Sequence, residues 1–125
     1  MKISNKVLIL AGFAMWVAAG PTSAHHSFAM FDSQKTITLD GAVKEFQWTS
    51  PHCWIQLVVK DASGKEAEWA VEATSPVALG RNGWKRTSLK PGDLATVVIH
   101  PQKDGSNGGQ LISVSVNGVQ IGGHT

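Results

Sequence analysis

Three of the five histidines set the chemistry open to this chain. His25 and His26 are adjacent and follow a run of small residues ending in Ala24. His52 stands behind a Thr49-Ser50-Pro51 turn. If export processing cuts after Ala24, His25 becomes the first residue. Its free α-amine and imidazole Nδ1 then chelate one metal ion in a six-membered ring. A further imidazole completes a T-shaped, all-nitrogen set of the histidine-brace type, which suits copper(II) better than zinc. His26, His52 and His100 are the candidate third donors, and His52 is the best placed, because it opens a strand beside a turn. His26 has a second route, in which its own amide and ring enter a square-planar site. The plain alternative is that His25 and His26 are surface residues and that the His52 ring caps the Thr49–Pro51 turn.

Two tryptophans flank His52. Trp48 and Trp54 bracket the first hairpin and can stack across it. Core packing is the default for indoles in a small domain. Exposed beside His52, they form a flat platform for a ring, a sugar or a peptide. Trp48, His52 and Trp54 are therefore the candidate ligand-binding residues, and His25, His26 and His52 the candidate metal ligands. Cys53 is the lone cysteine, so no disulfide forms within the chain. On an apolar strand face it reads as a small buried hydrophobe. A role as a copper(I) ligand or in an intermolecular disulfide needs exposure and a depressed pKa. A dyad with His52 is disfavoured, because adjacent strand residues point to opposite faces. Glu66, Glu68 and Glu72 alternate with Ala67, Trp69, Val71 and Ala73, the pattern of a solvated strand face over a core face. Arg81, Lys85, Arg86 and Lys90 read as a solvated basic loop that can contact an anionic partner. No constellation of nucleophile, base and acid is present, so no enzyme is expected.

The elements that position these residues follow from the pattern. Lys2 and Lys6 precede an apolar run, Val7 to Ala19, and a small-residue exit at Ala24. This is signal-peptide organisation. As a helix the run reaches about 20 Å, short of a bilayer core of roughly 30 Å. The expected location is the periplasm, with no stable membrane span after cleavage. Removal of residues 1–24 leaves 101 of 125 residues and takes away two of 11 basic residues, so nine bases face nine acids. A nucleic-acid partner loses its compositional support. One domain fits this length.

The segment 25–35 is an arm that Phe28 and Phe31 can tie to the body. Thr36 to Trp48 is the first strand. Ile37, Leu39 and Val43 share one parity, and Phe46 and Trp48 the other, which calls for a β-bulge near Lys44–Glu45. His52 to Lys60 is the second strand, with Cys53, Ile55, Leu57 and Val59 on one face. Asp61 to Gly64 is hairpin chemistry. Glu66 to Ala73 is the third strand. Ser75-Pro76 starts a short helix, and Trp84 and Leu89 act as plugs. Lys90 to Asp93 is a turn before the fourth strand, Leu94 to His100. Residues 101–109 read as a flexible loop. Gln110 to Val116 is the fifth strand, with Ile112, Val114 and Val116 inward. Asn117-Gly118 signals a turn, so 119–121 can fold back as an extra strand. The predicted fold is all-β: a five-stranded OB-like Greek-key barrel over 36–121, with one short helix between strands three and four, and a tail at 122–125.

Several stretches carry a resemblance. They are Ala24-His25-His26-Ser27-Phe28, Phe46 to His52, Glu68-Trp69, Gly83 to Asp93 and Lys103-Asp104-Gly105-Ser106. In combination the chain resembles an uncharacterised family of small secreted bacterial proteins, domain of unknown function family 6152, over residues 24–116. The chain departs from the family pattern at Ser50, where the family has asparagine, and at Cys53, where it has an apolar residue. The resemblance implies a periplasmic small β-barrel and no established activity. The expected function is a non-catalytic periplasmic module that binds a small ligand or a protein. The alternative is a copper-binding protein that uses His25 with His26 or His52. No cofactor beyond that copper is expected.

Overall fold

A computed structural model describes residues 28–122. The expected signal peptide, His25, His26 and the end of the tail lie outside the described residues. Five strands form the barrel: β1 (Ile37–Gln47), β2 (Trp54–Lys60), β3 (Glu66–Glu72), β4 (Leu94–Pro101) and β5 (Gly108–Val116). A short helix, α1 (Pro76–Arg81), separates β3 from β4, and a two-residue strand, β6 (Val119–Gln120), folds back on β5. The order is β3-β2-β1-β4-β5-β6, and a parallel β3–β5 pairing closes the ring. This is the OB-like arrangement that the strand pattern predicts. Among the described residues no helix is long and apolar enough to cross a membrane.

The long first strand serves both sides of the barrel. Its first half pairs with β4 and its second half with β2. The pairing register shifts between Val43 and Glu45. Lys44 is the extra residue, so Phe46 returns to the inner face opposite Ile55. Leu39, Val43, Ile55, Leu57, Val71, Val97 and Ile99 fill the interior. Asp61 Oδ1 accepts from the Ser63 and Lys65 N–H groups at 2.9 and 3.0 Å, which fastens the β2–β3 turn. Ser75 caps α1 by accepting from the Ala78 N–H at 3.2 Å, with Pro76 next. Leu79, Trp84 and Leu89 then plug that end of the barrel. Phe31 is buried, and the arm is stitched to β4 by Asp32 N–H donating to the Pro101 carbonyl at 2.8 Å.

The structure corrects the sequence reading in several places. β2 begins regular strand geometry at Trp54 rather than His52, although Cys53 still pairs with the end of β3 through Ala73 and Thr74. Ile112 does not point inward; Leu111 does. A second register shift, opposite Val98–Ile99, places Leu111 and Val114 in the core and leaves Ile112 between them. Gly108 and Gly109 are not loop residues. They are the part of β5 that pairs with Ala70 and Val71, and Ala70 N–H donates to the Asn107 carbonyl. A Cβ on Gly109 would lie 2.5 Å from Ile99 Cδ1 and 2.6 Å from the His100 carbonyl oxygen. Glycine is used here for close approach of strands, which a composition-based reading takes for flexibility. Glu72 is buried rather than solvated.

Candidate functional site

Register partners on neighbouring strands share a face. The inward positions Cys53 and Ile55 therefore place Trp54 on the outer wall. Trp54 pairs with Gln47 on one side and with Glu72 on the other. Glu72 pairs with Gln110, and Gln110 with His100. One polar belt thus runs around the outside of the barrel through β1, β2, β3, β5 and β4. Gln56 Nε2 donates to Gln47 Oε1 at 3.3 Å on the next row.

His52 joins this belt from the loop before β2. Its Nδ1 lies 2.5 Å from Glu72 Oε1. The Glu72 side chain retains 10% of its accessible surface and that of His52 34%. Glu72 is the one buried charged residue among the described residues. Burial of a carboxylate is costly without a partner, and His52 supplies one. The His52 ring meets Glu72, a contact that the plain reading does not contain. The Thr49 hydroxyl closes the Thr49–Pro51 turn by donating to the His52 carbonyl at 2.9 Å, across a cis Ser50–Pro51 bond. The Nδ1 edge of the ring is directed to Glu72.

The other candidates fall in different places. Trp54 is half-buried on the belt, beside Glu72. Trp48 is half-buried on the inner side, where it packs edge-on against Phe46 with ring centroids 5.8 Å apart and planes at 80°. Phe46 in turn meets Trp84 at 5.8 Å. The expected Trp48–Trp54 stack is replaced by this Trp48–Phe46 pair, because the Lys44 bulge turns Phe46 and Trp48 inward together. His100 Nδ1 lies 2.7 Å from the Lys35 carbonyl oxygen and fastens the arm. Cys53 is fully buried. Burial pushes its thiol above its ordinary range, opposed by a hydrogen bond with Thr49 and by the Arg86 charge. That is an unreactive thiol. Glu66 and Glu68 are exposed and pair with Lys60 and Lys44.

Sequence reasoning missed Glu72 as the partner of His52. The signal was available in the hairpin. Counting outward from the Lys60–Glu66 pair at the turn puts Trp54 opposite Glu72, and His52 diagonal to it. Trp54, Glu72, Gln47 and His52 put an indole, a carboxylate, a carboxamide and an imidazole side by side on the β1–β2–β3 stretch of the belt. Such a set holds a polar or planar ligand by stacking and hydrogen bonds. Among the described residues no group of three or more His, Cys, Asp or Glu side chains is arranged to hold a metal ion. In the copper reading the further donors are His25 and His26, which lie outside the described residues.

The model of a family of unknown function (DUF6152) matches residues 14–112. No curated protein matches the chain. Among solved structures, the chain is similar to the mitochondrial single-stranded DNA-binding protein Rim1 of S. cerevisiae. The two share 11% identity over 66% of this chain and 94% of that one, with a TM-score of 0.49.

Proposed function

The chain belongs to this family of unknown function, and from that premise we propose that it is a non-catalytic periplasmic binding or accessory module. Its binding face is the wall that carries His52, Trp54 and Glu72. The supporting observation is the His52–Glu72 contact at 2.5 Å on the outside of the barrel. A carboxylate sequestered on an outer wall, beside a half-buried indole, orders polar groups at a surface. The test is a screen of the full chain, exported and purified, against sugars, peptides and aromatic acids, read by tryptophan fluorescence. The expected result is a saturable change that His52→Ala and Trp54→Ala remove. Robust turnover in hydrolase or oxidase assays overturns the reading, as does a ligand whose binding ignores both substitutions.

A second reading is favoured by the same contact. A carboxylate behind one ring nitrogen is the usual support of a metal-ligating histidine. In this reading His52 joins the amine and imidazole of His25, with His26 as the other candidate, in a copper(II) site. Intact mass of the exported protein followed by copper titration under electron paramagnetic resonance tests it. A mature chain starting elsewhere than His25, or a spectrum of free copper, sinks it.

A further inference from the structure

A concavity lies on a different part of the barrel wall. Its floor is a cross-strand row. Val58 of β2 pairs with Ala42 of β1, and Ala42 pairs with Leu94 of β4. These three share the outer face, and Leu94 is 68% exposed. Asp40 and Thr96, a register pair on the next row, lie beside that strip. The wall is the Asn117–Gly118 turn between β5 and β6, where both residues take positive φ, 52° and 80°. That turn belongs to the hairpin added beyond the five-stranded barrel. It converts an exposed sheet face into a groove of about 600 Å³, within the ordinary range for small-molecule sites.

The charges in the groove are unevenly matched. Lys60 Nζ lies 3.5 Å from Glu66 Oε1. Asp40 Oδ1 accepts a hydrogen bond from the Thr96 hydroxyl at 2.6 Å. Asp40 has no ion-pair partner among the described residues. The groove therefore presents an apolar floor and one carboxylate whose charge is uncompensated. We propose that it binds a small amphipathic cation, an aliphatic primary ammonium compound whose chain lies along Val58, Ala42 and Leu94 and whose head meets Asp40. An anion meets two carboxylates against one ammonium. An exposed ion pair contributes little alone, so the apolar chain supplies the contact and the carboxylate the selectivity. One Asp40 oxygen is already held by Thr96, which favours a compact ammonium over the two-pronged guanidinium fork.

The test is titration of the full, isotope-labelled chain with hexylammonium, hexan-1-ol and hexanoate, followed by amide shifts. Hexylammonium is expected to move the Ala42, Leu94 and Gly118 signals saturably, and to bind tightest of the three. Asp40→Asn keeps an oxygen for Thr96, and is expected to weaken hexylammonium about fivefold while leaving hexanol unchanged. Leu94→Ser is expected to weaken both. Hexanol or hexanoate binding as tightly as hexylammonium overturns the proposal. Asp40→Asn without effect, or no saturable shift at all, overturns it as well.

Discussion

Glu72 depends on His52 more than His52 depends on Glu72, because the carboxylate is the deeper of the two. Removing the imidazole leaves a buried charge without that partner. His52→Ala is expected to cost about 1–3 kcal/mol of stability. His52→Ala combined with Glu72→Gln is expected to recover part of that loss. Urea denaturation of the wild type, both single variants and the double variant closes the cycle; strict additivity would show that the contact carries no energy. Cys53 gives a pH signature. Its thiol ordinarily ionises near 9.0, and burial raises that value in the folded state. The folded protein then holds the proton longer than the unfolded chain. Stability from this source is complete below pH 9.0 and is lost as pH rises beyond it. Cys53→Ala is expected to flatten the fall in stability on the alkaline side, measured by denaturation at several pH values. At this scale the sequence identified the burial of Cys53, because alternation with Ile55 and Leu57 fixes its face. It did not identify the His52 partner, because a charged residue at a strand end reads as solvent-facing until pairing is known.

The Lys44 bulge decides which way half of β1 faces. Deleting Lys44 removes the extra residue and moves Phe46 and Trp48 to the outer wall. Loss of cooperative unfolding and a red-shifted tryptophan emission are the expected outcomes; a native spectrum would show that the bulge is dispensable. Gly109 has the same weight at the other end of the barrel. Gly109→Ala places a methyl group against Ile99 and the His100 carbonyl. The expected loss is about 1–3 kcal/mol, the ordinary cost of overpacking, and calorimetric Tm checks it. The two elements differ in legibility. A parity change between Val43 and Phe46 announces the first bulge inside an apolar pattern. The second register shift, near Ile112, falls where Leu111, Ile112 and Val114 all are apolar, so parity carries no information there. Gly108 and Gly109 sit in a polar, glycine-rich stretch, where local composition hides a strand that only the closure of the ring calls for.

For the whole molecule, the barrel order follows from strand sequence, a helix at the expected place and a bent first strand. Charge bears on partners in the same way. Residues 25–125 carry nine basic and nine acidic side chains, and the basic cluster at 81–90 stands alone. Binding to nucleic acid depends on phosphate neutralisation and falls steeply with salt. The chain is expected to leave the anisotropy of labelled single-stranded DNA unchanged even at low salt; a rise that salt reverses would refute this. The ring itself is unequal around its circumference. The β1–β2 and β1–β4 ladders each pair six residues and β2–β3 seven, whereas β3 and β5 pair only three. Local opening begins where the fewest bonds must part. That joint includes Glu72 and Gln110, and His52 leans on one side of it. The outer belt therefore crosses the shortest ladder of the ring, where opening is expected first. A ligand that reaches from Trp54 and Glu72 across to Gln110 would bridge that joint, and its occupancy would slow hydrogen exchange at the amide of Ala70, which donates across the joint to Asn107.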